Sequence, residues 1–349
     1  SDRRTMALLG RPPVAQTVCL FAVFAQRACF SSCRASWEFL GSQRNWDAVS
    51  RILRNAVARR APQLPTADAG DWPWAPPALP ELSDALRRPR TRDTWAVTVA
   101  YDGTAFHGYA WQPDVRTVEG CLQDGLSPLL EGRHTLILQC AGRTDAGVSA
   151  LGQVVSFYSW PTLSECDIRA AVDACRPGSL SALGVRRVPR SFHATFAAAW
   201  RWYVYLLPLG SASELDVEAL DARLRPLVGP GRDMAALGRR LPAGKSTVCH
   251  LLHCSAAPVV LEPSPGELVP AVRFDIVGDR FIRGQVRTLV ATAVESVLTA
   301  PGAGPLDVLD RATSGDRTRT ASLAPAAGLC LYGTGYGAAG AGPLRPVSR

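Results

Sequence analysis

Strand and helix patterns alternate along this chain from Trp95 to about residue 297. Runs rich in β-forming residues predict strands, and apolar positions spaced three and four apart predict the helices between them. The predicted strands are 95–101, 134–140, 154–158, 184–188, 192–207, 248–261 and 269–277, and the predicted helices are 118–129, 166–175, 217–227 and 282–297. These elements occur in two successive rounds, so we expect an α+β fold of two similar halves that share one sheet.

The composition is that of a folded chain with polyanionic partners. Of 349 residues, 47% are apolar, which supplies a sizeable core, and the length suits about two ordinary domains. The longest apolar run, near Val18–Ala25, is about half of the roughly 18 residues that a membrane helix needs, so no membrane partner is expected. The 38 basic residues outnumber 30 acidic ones, which favours nucleic acid. The ten cysteines lack the dense spacing of a secreted scaffold and indicate a reducing compartment.

The first 62 residues differ in character from the rest, because they are rich in arginine, serine and alanine and contain only three acids. That composition is typical of a mitochondrial or plastid transit segment. Residues 46–57 carry an apolar helical stripe flanked by Arg51 and Arg54, and this fits an ordinary amphipathic surface helix equally well. Residues 63–93 are rich in proline and indicate a linker or arm. The predicted division is a transit-like extension (1–62), a linker or arm (63–93), a first α+β half (94–210) and a second α+β half (211–349).

The most informative segment is AGRTDAG, Ala141–Gly147, which follows one predicted strand and precedes another. Its glycines allow a tight turn and the close approach of a ligand. Arg143 and Asp145 lie two residues apart and can point from a loop toward one cleft. Taken alone, a loop with glycine, threonine and aspartate is more often only a turn. The remainder of the chain favours a functional role.

Five segments, in the right order, resemble the TruA-type pseudouridine synthase family. They are YDGTAFHGYAWQPDVRTVEGCLQDGL (Tyr101–Leu126), GRTDAGVSALGQVVSF (Gly142–Phe157), SFHATFAAAWRWYVYLL (Ser191–Leu207), GDRFIRGQVRTLVATAVESV (Gly278–Val297) and APAAGLCLYGTGY (Ala324–Tyr336). The resemblance implies the pseudouridine synthase fold, in which two ferredoxin-like halves share a mixed, mainly antiparallel sheet with a central active-site cleft. It also implies an isomerase that acts on uridine in RNA and needs neither a cofactor nor a metal.

The resemblance assigns roles to individual residues. Isomerisation breaks the bond between uracil and ribose, turns the base and rejoins it through carbon 5, which requires a carboxylate nucleophile, and Asp145 matches that position. Arg287 matches the arginine that pairs with this carboxylate and keeps it ionised. Tyr203 matches the tyrosine that stacks on the uracil and accepts the proton from carbon 5. The expected substrate-binding residues are Arg143, Thr144, Arg201, Tyr205 and Arg283.

The strand pattern agrees with these roles. Alternation along residues 198–207 places Arg201, Tyr203 and Tyr205 on one face of the strand. A base in folded RNA must be extruded from its stack, at a cost of a few kcal/mol, and stacking on an aromatic side chain offsets this cost. An arginine-rich surface then holds the RNA backbone by shape more than by sequence.

The chain departs from the family pattern at several positions. Ser149 stands where a histidine is usual, Thr195 replaces an arginine, and DACRP (Asp173–Pro177) replaces an Asn-x-x-Leu-Pro stretch. We expect these departures to change the substrate more than the chemistry. Further departures are GYAWQ (Gly108–Gln112) and DMAAL (Asp233–Leu237).

Two other motifs are set aside. GRRLPAGKST (Gly238–Thr247) ends like a phosphate-binding loop, but five residues separate its glycines where the motif requires four. CHLLHC (Cys249–Cys254) offers four zinc-ligand types, yet strand alternation puts Cys249 and His253 on one face and His250 and Cys254 on the other. Ligands divided in this way cannot close a tetrahedron, so no metal site is expected.

The implied activity is pseudouridine formation in RNA. The family's usual substrate is the anticodon stem-loop of tRNA, and the transit-like N-terminus favours mitochondrial RNA over a cytoplasmic or nuclear location. The family's bacterial members are homodimers, so a homodimer is the expected assembly. The alternative is a non-catalytic or weakly catalytic TruA-like factor that binds ribosomal RNA during mitochondrial ribosome assembly, with the N-terminal extension as its partner-binding segment.

Overall fold

The structure is a computed structural model that describes residues 39–41, 44–61, 63–66 and 92–336. Its helices are α1 (Trp46–Ala58), α2 (Val118–Leu126), α3 (Glu165–Cys175), α4 (Val217–Leu224), α5 (Gln285–Thr299) and α6 (Asp307–Thr313). Its strands are β1 (Asp93–Tyr101), β2 (Gln139–Cys140), β3 (Ser149–Ser159), β4 (Leu180–Val188), β5 (Trp200–Pro208), β6 (Gly229–Asp233), β7 (Val248–Leu261), β8 (Val269–Gly278) and β9 (Leu329–Gly335). Most of the transit-like extension and of the proline-rich linker lies outside the described residues.

Polar side chains fix where four of the helices begin. The side chain of Asn45 accepts a hydrogen bond from a first-turn amide of α1, and Thr117 and Asp216 do the same for α2 and α4. At α3, Ser164 and Asp167 form a capping box, in which each side chain accepts the other residue's backbone N–H. Each cap satisfies amide groups that have no partner inside the helix.

The strands form one sheet in the order β4-β1-β3-β9-β5-β8-β7-β6, and β2 pairs separately with β3. Neighbouring strands are antiparallel, except that β3 and β9 are parallel. The parallel contact is short, because only Ser149 with Cys330 and Ala150 with Leu331 are paired. The mixed, mainly antiparallel sheet that the sequence predicted is confirmed.

The sheet is built from two units of the same topology. The first unit runs β1-α2-β2-β3-α3-β4 and the second runs β5-α4-β7-β8-α5-β9, so each has the ferredoxin-like order 4-1-3-2. The two units meet where β3 lies beside β9. Strand β5 belongs to the second unit because its partners, β8 and β9, follow it in the chain. The division therefore falls between residues 188 and 200, whereas the sequence placed it at residue 210.

Apolar side chains cover both faces of the sheet. One face packs against α2, α3, α4, α5 and α6 in the larger core, which contains Tyr203 and Tyr205. The opposite face is covered by α1, whose Val49, Leu53 and Val57 form a second core with residues that include Trp202, Val204 and Leu206 of β5. The alternation predicted for β5 is present in the structure. Among the described helices, none combines the length and the apolar character that crossing a bilayer requires.

Helix α1 is joined to both units by charged side chains. Arg54 donates to the buried carboxylate of Asp102 in the first unit at 2.9 Å. Arg51 donates to Glu267 in the second unit at 2.6 and 2.7 Å. Of the two interpretations that the sequence left open for residues 46–57, the amphipathic helix is the one that the structure contains.

Strand β7 corrects one detail of the sequence analysis. A β-bulge shifts its register against β8 between Leu251 and His253. An extra residue at a bulge reverses the alternation beyond it. Cys249 and Cys254 therefore enter the same core, whereas simple alternation had placed them on opposite faces.

Candidate active site

Asp145 lies in the loop that connects β2 to β3, next to the short contact between the two units. The loop closes through a hydrogen bond from the Val148 amide to the Asp145 carbonyl, at 3.1 Å. Gly147 has a φ of +79°, in the left-handed region that favours glycine. The side chain of Asp145 is 35% exposed, so its carboxylate is open to a ligand.

The chain on either side of Arg143 is held by the first unit. The buried Gln153 side chain on β3 donates to the Gly142 carbonyl and accepts from the Gly142 amide. The Thr144 carbonyl accepts from the Tyr109 amide at 3.0 Å, and the Thr144 hydroxyl lies 2.8 Å from the hydroxyl of Tyr101. The backbone on both sides of Arg143 is therefore fixed before any ligand binds.

Two guanidinium groups from the second unit face the two oxygens of Asp145. Arg287 Nη1 lies 3.6 Å from Oδ2, and Arg283 Nε lies 3.9 Å from Oδ1. Arg287 is only 15% exposed and also donates from Nε to the Ala324 carbonyl at 2.6 Å, whereas Arg283 is 59% exposed. Burial lowers the pKa of Arg287 and the Asp145 carboxylate opposes that shift, and an arginine remains protonated at ordinary pH. The geometry provides one fixed and one solvent-facing cation for the carboxylate.

A buried tyrosine lies beside the same loop. Tyr203 on β5 packs edge-on against Phe281, with ring centroids 5.1 Å apart. A β-carbon on Gly142 would lie 3.6 Å from the Tyr203 hydroxyl oxygen, so the phenol reaches the start of the Asp145 loop. Burial raises the pKa of Tyr203 to about 12, Arg201 opposes the rise and Asp145 adds to it. The phenol is therefore neutral at physiological pH.

Comparison with known proteins identifies the family. The chain is 30% identical over 259 residues to the tRNA pseudouridine synthase A of Lactobacillus helveticus (strain DPC 4571), a match that covers 69% of this chain and 93% of that protein. It is 32% identical over 253 residues to the enzyme of the same name from Lacticaseibacillus casei (strain BL23), covering 68% and 97% of the two chains. The chain belongs to the tRNA pseudouridine synthase A (TruA) family. The family resemblance that the motifs carried is thus confirmed, and the family is one of isomerases.

Two further comparisons add nothing to the TruA assignment. No family model matches the chain. Among solved structures, an unknown protein from Galdieria sulphuraria is similar over 60% of this chain and 92% of its own. Its 13% identity and TM-score of 0.19 carry no argument about fold or function.

The structure brings four of the residues predicted from the TruA pattern to one place. Asp145, Arg287 and Arg283 are in contact, and Tyr203 lies beside the loop that carries Asp145. Arg143 is exposed within that loop. This exposure is consistent with contact to RNA.

Three residues that the sequence assigned to substrate binding have their side chains committed within the protein. Tyr205 is fully buried and its hydroxyl donates to the Pro325 carbonyl at 3.1 Å. The Thr144 hydroxyl bonds to Tyr101, and Arg201 donates only to backbone carbonyls. The structure therefore gives Thr144, Arg201 and Tyr205 partners within the protein, and their contacts to RNA stay a prediction.

Positions that depart from the TruA pattern also serve the fold. The Ser149 hydroxyl accepts from the Gly103 amide at 2.9 Å, and the Thr195 hydroxyl donates to the Cys140 carbonyl at 2.6 Å. Asp173 accepts from the Ala182 amide at 2.8 Å. None of these three contacts touches Asp145, Tyr203 or Arg287, the residues that match the family's reacting groups.

Two residues at the TruA-like site were missed by sequence reasoning. Gln153 holds Gly142, and its signal is a long polar side chain inside the mainly apolar strand segment LGQVVSF. Phe281 packs against Tyr203, but an aromatic residue ahead of an amphipathic helix is too common a pattern to mark a site.

Proposed function

We propose that this chain is an RNA pseudouridine synthase that acts on tRNA, with Asp145 as its nucleophile. The observation that carries the proposal is the pairing of both Asp145 oxygens with arginines of the opposite unit, beside a buried aromatic ring. The substrate class is supported by the relatives, which are named tRNA pseudouridine synthases.

The arrangement supplies what the isomerisation needs. Arg287 is fixed by its bond to the Ala324 carbonyl, so its guanidinium holds the Asp145 carboxylate in place as an extruded nucleotide displaces water. The carboxylate participates in cleavage of the bond between ribose and uracil N1, and the released uracil turns and rejoins the ribose through carbon 5. The carbon 5 proton leaves and N1 acquires a proton, so the product has the same composition as the substrate.

Tyr203 supports the extruded base. Its neutral phenol offers an aromatic surface next to the Asp145 loop, which offsets the unstacking of the base. A phenol with a pKa of about 12 is rarely ionised near neutral pH, so stacking is the role that the free enzyme supports best.

A mitochondrial location is part of the proposal. It is supported by the arginine-rich, acid-poor composition of the N-terminal residues. Helix α1 packs on the sheet and its arginines join both units, so we assign the transit function to residues that precede it. Exposed Arg143 and Arg283 provide cations for the RNA backbone next to Asp145.

The test compares Asp145→Asn with a matched surface control, Asp310→Asn on α6. Tritium release from tRNA labelled at uridine carbon 5 measures the reaction, and a filter-binding assay measures affinity for the same tRNA. We expect Asp145→Asn to reduce release by at least about 10³-fold with binding within a few-fold, and Asp310→Asn to match the wild type.

Pseudouridine mapping of mitochondrial and cytoplasmic RNA then identifies the target in cells. Sites lost in cells that carry only Asp145→Asn name the RNA and its compartment. If every site persists while deletion of the gene impairs ribosome assembly, the catalytic proposal fails and the RNA-binding alternative replaces it.

A further inference from the structure

Arg201 uses every one of its donors on backbone carbonyls. Nε and Nη2 donate to the Ala141 carbonyl at 3.1 and 3.0 Å, and Nη2 also donates to Thr195 at 2.8 Å. Nη1 donates to the carbonyls of Asp279 at 2.6 Å and Ala198 at 3.1 Å. These five bonds match the five N–H groups that a guanidinium carries. The side chain therefore has no donor left for an RNA phosphate.

The carbonyls that Arg201 binds belong to three segments around the site. Ala141 directly precedes Gly142 and opens the loop that carries Asp145. Asp279 directly follows β8 and opens the segment that carries Arg283 and leads into α5 with Arg287. The third segment, 195–198, leads into β5 itself. One side chain thus joins the loop of the nucleophile in the first unit to the arginine segment in the second.

We propose that Arg201 is a positioning residue, which sets the distance between Asp145 and the arginine pair by tying Ala141 to Asp279. This inference rests on the proposed function and deepens it. The contacts of this side chain require arginine. A planar guanidinium reaches carbonyls on separate sides, whereas the three donors of a lysine ammonium share one atom and cannot reach them all. The positive charge also lowers the pKa of Tyr203 against the effect of burial, which places Arg201 in the electrostatics of the site.

Arg223 on α4 is a natural control, because it makes the same kind of contact elsewhere. It is buried and donates to the carbonyls of Ala300, Pro301 and Ala303 and to the Ser296 hydroxyl, at 2.7 to 3.1 Å. These partners lie at the C-terminal end of α5 and just beyond it. The helix has 15 residues, so this end lies about 22 Å from the end near Asp145. A purely structural role would make the two arginines equivalent in any assay of activity.

The experiment compares Arg201→Lys with Arg223→Lys in the full-length chain. Thermal unfolding, kcat and KM for tritium release, and tRNA affinity as a function of salt are measured for each variant below its unfolding range. For Arg201→Lys we expect kcat to fall about 10- to 100-fold, since small misplacements of reacting groups have effects of that size, with KM and the salt dependence unchanged. Arg223→Lys should lose thermal stability and keep the kcat of the wild type.

Several results would overturn the inference. The first is a kcat for Arg201→Lys within twofold of the wild type, and the second is an equal loss of kcat in both variants. The third is a weaker salt dependence of tRNA affinity in Arg201→Lys, by about one phosphate contact, because that marks direct contact of Arg201 with RNA. Arg201→Gln, which keeps two of the five donors, is the second variant. If neither Arg201 variant folds while Arg223→Lys does, the residue acts in folding and the inference is wrong. An inactive wild type would overturn the proposed function instead.

Discussion

Shortening Leu53 to alanine tests whether α1 is an integral part of the folded unit. Leu53 lies in the middle of the helix, is 1% exposed, and belongs to the core between α1 and the sheet. Leucine-to-alanine changes in such cores cost about 2–5 kcal/mol, because the lost apolar contact leaves a cavity that closes only in part. The surrounding β-strands are held in a sheet and cannot collapse onto the space, so we expect about 3 kcal/mol.

Urea unfolding followed by tryptophan fluorescence measures this loss, since Trp200 and Trp202 belong to the same core. In a domain of this size, each kcal/mol lost from the free energy of unfolding lowers the melting temperature by about 2–4 °C, so Leu53→Ala should lower it by about 6–12 °C. Arg59→Ala, at an exposed position just after α1, is the control and should change stability by less than about 0.5 kcal/mol. A loss below 1 kcal/mol for Leu53→Ala would refute the packing of α1 on the sheet and restore the transit interpretation of residues 46–57.

Three further predictions concern the site. Arg287→Ala should lower kcat for tritium release by about 10²-fold or more, because this arginine is largely buried against Asp145. Arg283→Ala should lower kcat less than tenfold, because its side chain is exposed and lies 3.9 Å from Asp145. Equal losses in the two variants would contradict the role given to burial. Gln153→Met should lower the free energy of unfolding in urea by about 1–3 kcal/mol, because it leaves the half-buried Gly142 carbonyl without its donor, and an unchanged midpoint would contradict this. The pKa of Tyr203 is raised from 10 to about 12, so the unfolded chain ionises first and stability should fall between pH 10 and 12. Tyr203→Phe should reduce that fall in unfolding experiments, and an identical pH profile would show that the phenol is not buried.

Local sequence patterns predicted the helices and strands well where one regular spacing of apolar residues holds along the whole element. The two faces of β5 follow from alternation, and both are apolar because α1 covers the second face. The predicted helix at 282–297 starts at Gln285 in the structure, because Gly284 adopts a φ of +78° and ends the preceding turn. The bulge in β7 has no such signal, since it depends on pairing with β8.

The site was only partly accessible to sequence reasoning. The pairing of Asp145 with Arg287 joins positions 142 residues apart, and the family resemblance supplied it. The resemblance assigned Arg201 and Tyr205 to RNA binding, and strand alternation placed them on the same face as Tyr203. The structure shows that both side chains also have partners within the protein. Backbone carbonyls from three separate segments occupy Arg201, and nothing in a sequence marks which carbonyl will lie near a side chain.

The unequal second strands of the two units explain why the first unit has room for the Asp145 loop. Strand β7 has 14 residues and pairs along the edge of β8, whereas its counterpart in the first unit, β2, has two. Because β2 pairs only with Ser156 and Val155 of β3, residues 141–148 are free to form the Asp145 loop, and the other end of the same β3 edge is open to β9. One short strand therefore provides both the space for the loop and the place where the two units join, whereas in the second unit β7 fills the equivalent edge.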